Sequence, residues 1–216
     1  YAVQNGPRWV VVADLNKDGD KDLISANADS DSVSVLIGNG NGTVRTAVHY
    51  ATGDAPYQVI SADFDKDGNP DIATANFNGD NLSILMGNGN GTLDAAVNYA
   101  AGDGASALAA GDFDKDGFTD VVVTDYNANT VSVLTGNGDG TFDAAVAHGV
   151  GAQPWSVTVA DFEGDGNLDI AVANYGDDTV SILTGNGDGT FDAAVDFASD
   201  EGPRCLVPGN FDGNSK

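Results

Sequence analysis

Short apolar runs alternate along this chain with clusters of Gly, Asn and Asp. Val10-Val11-Val12-Ala13, Val131-Ser132-Val133-Leu134 and Asp169-Ile170-Ala171-Val172-Ala173 are typical of the runs. Rich in β-branched residues and bounded by turn formers, they predict short strands joined by tight turns. Nothing holds apolar residues at a sustained helical period.

The pattern recurs in one register. DLNKDGDKDL, DFDKDGNPDI, DFDKDGFTDV and DFEGDGNLDI begin at Asp14, Asp63, Asp112 and Asp161, 49 residues apart each time. Gly-rich turns begin at Gly38, Gly87, Gly136 and Gly185, and Pro7, Pro56, Pro154 and Pro203 align, with Ala105 in the third copy. A fixed period of this size denotes a repeat architecture. Each copy reads as an apolar first strand, an acidic loop, a second strand, a polar turn, a third strand, a Gly-rich turn and an outer strand such as Ala193-Ala194-Val195. Four strands per repeat match a β-propeller blade, and solenoid coils are usually shorter. The expected fold is all-β, made of four-stranded antiparallel propeller blades, four whole and with partial ends. The single propeller region covers 1–216: an outer-strand end and connection at 1–8, blades at 9–57, 58–106, 107–155 and 156–204, and the start of a fifth at 205–216. Unclosed blades leave apolar faces in water. That predicts an excerpt of a larger propeller, or self-association that completes the ring.

The acidic loops carry the chemistry. Counting from Asp63, carboxylates stand at positions 1, 3, 5 and 9 (Asp63, Asp65, Asp67, Asp71), Gly68 is at 6, and Asn69 at 7 can offer its backbone carbonyl. The other loops supply Asp14, Asn16, Asp18, Asp20 and Asp22; Asp112, Asp114, Asp116, Phe118 and Asp120; and Asp161, Glu163, Asp165, Asn167 and Asp169. Alternate carboxylates on a tightly turned chain can converge on a hard cation. Oxygen ligands in this number favour Ca2+ over zinc, copper or the more demanding Mg2+. A hairpin turn needs one Asp rather than four, and unneutralised neighbours repel by roughly 4 kcal/mol at 4 Å and a dielectric near 20. About four calcium ions are expected, one per complete loop. Their ligands should matter more to stability than an exposed acid such as Asp80. Leu15, Phe64, Phe113 and Phe162 at position 2 read as apolar anchors beneath each loop.

Charge agrees. The 33 acidic against 8 basic residues give −25, which repels nucleic acid and suits cations. Hydrophobic residues make up 41% of the sequence, enough for a core, and no apolar run approaches the roughly 18 residues of a membrane span. Cys205, the single cysteine, reads as a small core residue, and Cys-based zinc sites are excluded.

The DxDxDGxxD loops, the VANYG stretch from Val172 and the VSILTGNGDGTF block from Val180 resemble FG-GAP-like (VCBS) repeats of secreted bacterial proteins and, more distantly, integrin α-subunit propellers. The resemblance implies an extracellular or cell-surface propeller for adhesion or for recognition of sugars or proteins, or a module beside enzymes. It also implies calcium on the four loops, weakened in the first by Asn16.

Turns on the calcium face barely differ among copies. The second-to-third turns and blade connections on the opposite face do differ, and they carry Tyr57, Phe77, Tyr126, Trp155 and Tyr175, with Trp9 nearby. Such rings can stack on a glycan or dock an extracellular protein. His49 and His148 lie in different blades, and no Ser, Cys or Lys context repeats. That argues against an enzyme, and leaves a recognition module, a structural spacer or assembly subunit, or a propeller attached to a catalytic domain elsewhere.

Overall fold

A computed structural model describes residues 1–209. The chain forms four sheets of four antiparallel strands, each hydrogen-bonded in sequence order. The first holds β1 (Pro7–Ala13), β2 (Asp22–Asn27), β3 (Ser32–Leu36) and β4 (Val48–Ala51). The second holds β5 (Pro56–Ala62), β6 (Asp71–Asn76), β7 (Asn81–Leu85) and β8 (Val97–Ala100). The third holds β9 (Ala105–Gly111), β10 (Asp120–Asp125), β11 (Thr130–Leu134) and β12 (Val146–Gly149), and the fourth β13 (Pro154–Ala160), β14 (Asp169–Asn174), β15 (Thr179–Leu183) and β16 (Val195–Ala198). This is the propeller-like repeat fold the pattern predicts. The fourth strand starts at Val195 rather than Ala193, because a Gly185–Phe191 bridge first closes the Gly-rich turn. Residues 203–209 form no strand, and the rest of the expected fifth-blade start, from Asn210, lies outside the described residues.

First strands stand side by side, β1 by β5, β5 by β9, β9 by β13. Second strands are buried along almost their whole length and fourth strands largely exposed. The core therefore lies between blades. One cluster joins Phe64, Leu82 and Ile84 of the second blade to Leu108, Val121 and Phe142 of the third, and similar clusters join the other neighbours. A strand covered on both faces must be apolar or small throughout, hence Ala-Val-Ile runs without polar alternation. The uncovered side of β1 shows the converse. Val10 is 57% exposed where its equivalents Val59 and Leu108 are at 0% and 2%.

Two repeated polar devices fix the blades. At the end of each second-to-third turn, Asp31, Asp80, Asn129 and Asp178 adopt left-handed backbone, which Asp and Asn tolerate best. Their side chains accept the N–H of Ala55, Gly104, Gln153 and Gly202 in the next connection, at 2.7–2.9 Å. Asp80 is thus not an idle surface acid: it latches the second blade to the third. The chain has no equivalence here between exposure and lack of role.

The second device is a buried polar ladder with one irregular rung. Asn27, Asn76 and Asn174 donate to Ser34, Ser83 and Ser181. Those hydroxyls in turn meet a fourth-strand side chain: His49, Asn98 or Asp196, at 2.6–2.8 Å. In the third blade the fourth-strand position is Ala147, so Ser132 turns inward and donates to Asp125, which also accepts from Thr130 and Gly102 N–H. Burial pushes the Asp125 carboxyl up. Asp125 and Ala147 thus compensate each other. Replacing Asp125→Asn and Ala147→Asn together should restore the regular rung. A double-mutant cycle by thermal melting at pH 7 should give a favourable coupling of about 1 kcal/mol. Simple additivity would contradict this account.

Candidate metal loops and ligand face

Each acidic loop is closed by its position-9 carboxylate, which opens the second strand. Asp22, Asp71, Asp120 and Asp169 each accept two backbone N–H groups. One oxygen takes the N–H of loop position 2 (Leu15, Phe64, Phe113, Phe162) at 2.7–2.8 Å. The other takes the first Gly of the third-to-fourth turn (Gly38, Gly87, Gly136, Gly185) at 2.7–2.9 Å. This pins the loop and the Gly-rich turn to one face. The next blade roofs it: Gly91, Gly140 and Gly189 donate to the carbonyls of Leu15, Phe64 and Phe113. Those anchors are 1–2% exposed, but Phe162 is 45% exposed, so the fourth anchor is not buried as the sequence led us to expect. Phe64 and Phe113 pack edge-on against Phe142 and Phe191 of the following blade, and Phe162 meets no such ring among the described residues.

Within the loops, position 1 has one oxygen on the position-6 Gly N–H: Asp14, Asp63 and Asp112 accept from Gly19, Gly68 and Gly117 at 3.0 Å. The other oxygen of each is buried and without a hydrogen-bond partner. Three equivalent orphaned carboxylate oxygens fit a cation, since unpaired buried anionic oxygen is costly. In the second loop Asp63, Asp65 and Asp71 place oxygens within 4.8 Å of one another, and in the third Asp112, Asp114 and Asp116 do so. These two acidic clusters can hold a metal ion.

The other two loops differ. In the first, the Asn16 amide donates to Asp18 at 2.7 Å, closing off an oxygen. In the fourth, the free Asp161 oxygen is taken by the N–H groups of Gly164 and Asp165 at 2.6 and 3.2 Å, and backbone donors, Gly166 foremost, hold its carboxyl low. Position 4 is left-handed in every copy. The first three place a Lys there, at φ 56–61°, and only the fourth has Gly164. The strained lysines reach forward: Lys66 lies 4.8 Å from the Phe118 ring of the next loop.

On the opposite face, all five predicted rings form one path. Tyr57 stacks on Phe77 at 4.4 Å and 9°, Phe77 meets Tyr126 at 5.9 Å, Tyr126 meets Trp155 edge-on at 5.4 Å, and Trp155 meets Tyr175 at 6.5 Å. Two arginines cap its ends, Arg8 at 3.7 Å from the Tyr57 centroid and Arg204 at 4.5 Å from Tyr175. These were missed in the sequence. Their signal was available: each follows an aligned Pro, and they are two of only three arginines. Cys205 is an exposed free thiol rather than a core residue, because the segment around it pairs with no strand.

Four-stranded blades with acidic loops on one face define a β-propeller-like repeat protein. The FG-GAP-like repeat model matches residues 14–74, 63–123, 112–172 and 161–216, and the chain belongs to that family. No curated protein matches its sequence. Among solved structures it is similar to the periplasmic gluconolactonase of Pseudomonas aeruginosa (18% identity, TM-score 0.71, 93% of this chain and 56% of that one). It is also similar to a candidate 6-phosphogluconolactonase of Bacteroides uniformis (18%, 0.70, 93% and 59%). An Agrocybe aegerita lectin that recognises non-reducing terminal N-acetylglucosamine is a third (22%, 0.57, 88% and 51%). The chain spans little more than half the length of these proteins.

These likenesses correct one expectation. Exclusion of an enzyme rested on the lack of a repeated catalytic context, yet solved proteins named as lactonases share this fold. Side chains that meet where blades converge need not repeat in kind from blade to blade, so repetition is no test for catalysis. Among the described residues no helix is long and apolar enough to cross a membrane.

Burial first, and repulsion from loop neighbours after it, push Asp71 and Asp120 up to about 6 despite their backbone donors. A carboxyl raised from 3.8 takes up a proton on folding between the two values. The contribution of these two carboxyls to metal-free stability is therefore fully present below pH 3.8 and is lost as pH rises through about 6. In chelator, melting temperature should rise between pH 7 and pH 5, and rise less in an Asp71→Asn, Asp120→Asn variant. A uniform fall on acidification would refute this.

Proposed function

We propose that this chain is a calcium-stabilised extracellular propeller segment that recognises a saccharide on the face opposite its metal loops. The observation that carries the reading is the unbroken path of five half-buried rings from Tyr57 to Tyr175, at the positions where the repeats differ most. Aromatic faces beside polar turns suit the C–H faces of sugar rings. Solved proteins of the same fold with names that refer to sugar-derived ligands support it. Calcium suits the orphaned oxygens and the all-oxygen donor set, held by Asp63, Asp65 and Asp71 in the second loop and Asp112, Asp114 and Asp116 in the third. The ion supplies positive charge that lets these acids pack together. The protein's own residues fix the loop through the position-9 carboxylates.

Calcium should raise melting temperature after chelation, and magnesium should do so poorly. Each site contributes up to about 2.7 kcal/mol at a hundredfold excess over its dissociation constant. Native mass spectrometry should fill two sites before any others, and Asp65→Ala or Asp114→Ala should each remove one of the two. Glu163→Ala should leave both. Four equivalent sites, or none, would defeat the loop assignment.

On a glycan array, Trp155→Ala and Tyr126→Ala should weaken binding about tenfold, which corresponds to about 1.4 kcal/mol of lost stacking. Melting temperature should change little. Wild-type binding by both variants would remove the aromatic path from the site.

A further inference from the structure

The aromatic path borders a cavity of about 240 Å³ where the first strands begin. It is lined by Arg8, Tyr57, Trp155 and Arg204, with Trp9 beside them. That volume is below the roughly 300 Å³ at which sites for drug-sized ligands begin, so it suits one sugar ring.

Charge sets this cavity apart. The chain carries −25, yet among the described residues no carboxylate lines the cavity and two guanidinium groups do. Both lie over rings, Arg8 on Tyr57 and Arg204 between Trp155, at 5.5 Å, and Tyr175. Stacking uses the face of a guanidinium and leaves its N–H edge free for a planar, bidentate acceptor. Three of the other polar lining groups hold hydrogen bonds within the protein. Gln58 Oε1 accepts from Leu108 N–H, Ser106 shares a hydrogen bond with Thr124, and Ser156 Oγ accepts from Leu206 N–H. The arginines are the lining groups that carry charge, and charge is what discriminates here. A cationic ligand is disfavoured, because the ring faces already carry cations.

Resting on the saccharide reading above, we infer that this cavity takes an acidic saccharide, a uronate or aldonate. Its carboxylate is read by Arg8 and Arg204, and its ring lies against Trp155, since Phe77 and Arg8 already cover the two faces of Tyr57. In so acidic a protein the two arginines also offset the field that would otherwise repel such a ligand.

Both tryptophans of the chain line the cavity, so their fluorescence reports occupancy. Titration with glucuronate, glucose and tetraglutamate at low salt should show glucuronate binding about tenfold tighter than glucose, with an affinity that falls as salt rises. Arg8→Gln and Arg204→Gln should each weaken glucuronate about fivefold and glucose less than about twofold, with melting unchanged. Arg8→Lys and Arg204→Lys should fall between, keeping charge without the fork. Equal affinity for glucose and glucuronate, or glutamine variants that bind glucuronate as wild type does, overturns the acid preference and leaves the saccharide reading standing. Preference for tetraglutamate overturns it in favour of an acidic peptide. No response to either sugar removes both readings.

Discussion

One carboxylate per blade organises the rest. Asp22, Asp71, Asp120 and Asp169 are almost fully buried, and each ties together two backbone segments, the acidic loop and the Gly-rich turn. A neutral side chain has fewer lone pairs to offer two N–H donors at once, and an unbonded buried N–H costs about 1–3 kcal/mol. The ionised form suits the bonding pattern better, while burial and neighbouring acids oppose it. Asp71 and Asp120, pushed up to about 6, show the balance directly. A cation among Asp63, Asp65 and Asp71 would relieve that opposition without changing any hydrogen bond.

The same logic explains why the loops are unequal. A loop keeps a free oxygen at position 1 only while its backbone N–H groups point elsewhere. Position 4 is left-handed in all four loops, and Lys17, Lys66 and Lys115 accept that strain where the fourth loop has glycine. In the fourth, Gly164 donates its own N–H to Asp161 and fills the vacancy internally. Four loops with one sequence pattern thus yield two converged acid clusters: the first loop has Asn16 in place of an acid, and in the fourth the Gly164 N–H takes the Asp161 oxygen.

Elements set by the period were legible in the sequence: blade number, strand order, the face that carries the acidic loops and the five rings opposite. Each appears four times or in a fixed register, so local pattern suffices. The rest was hidden where repeats depart from one another. Arg8 and Arg204 share one register position with Tyr57, Ser106 and Trp155 but not their chemistry, and only the fold brings them to one cavity. The Asp125–Ala147 exchange was hidden likewise, since its two halves lie on strands joined through Ser132. Asp80 looked dispensable because exposure was read as idleness, while its hydrogen bond crosses between blades.

Why one face varies and the other does not follows from how each is held. On the loop face, side chains make the bonds, through Asp71 and its equivalents, so the sequence cannot drift. On the opposite face the backbone does much of the work. Phe77, Tyr126 and Tyr175 donate their N–H to the carbonyls of Ala55, Gly104 and Gln153, and the latch from Asp80 or Asn129 also ends on backbone N–H. Those bonds are indifferent to the side chain carried at each position. Residues 57, 77, 126, 155 and 175 are thereby free to be aromatic, and 8 and 204 to be arginine, without loss of blade geometry. A ligand site can be built there one blade at a time, on a frame whose stability is set at the far end of the same strands.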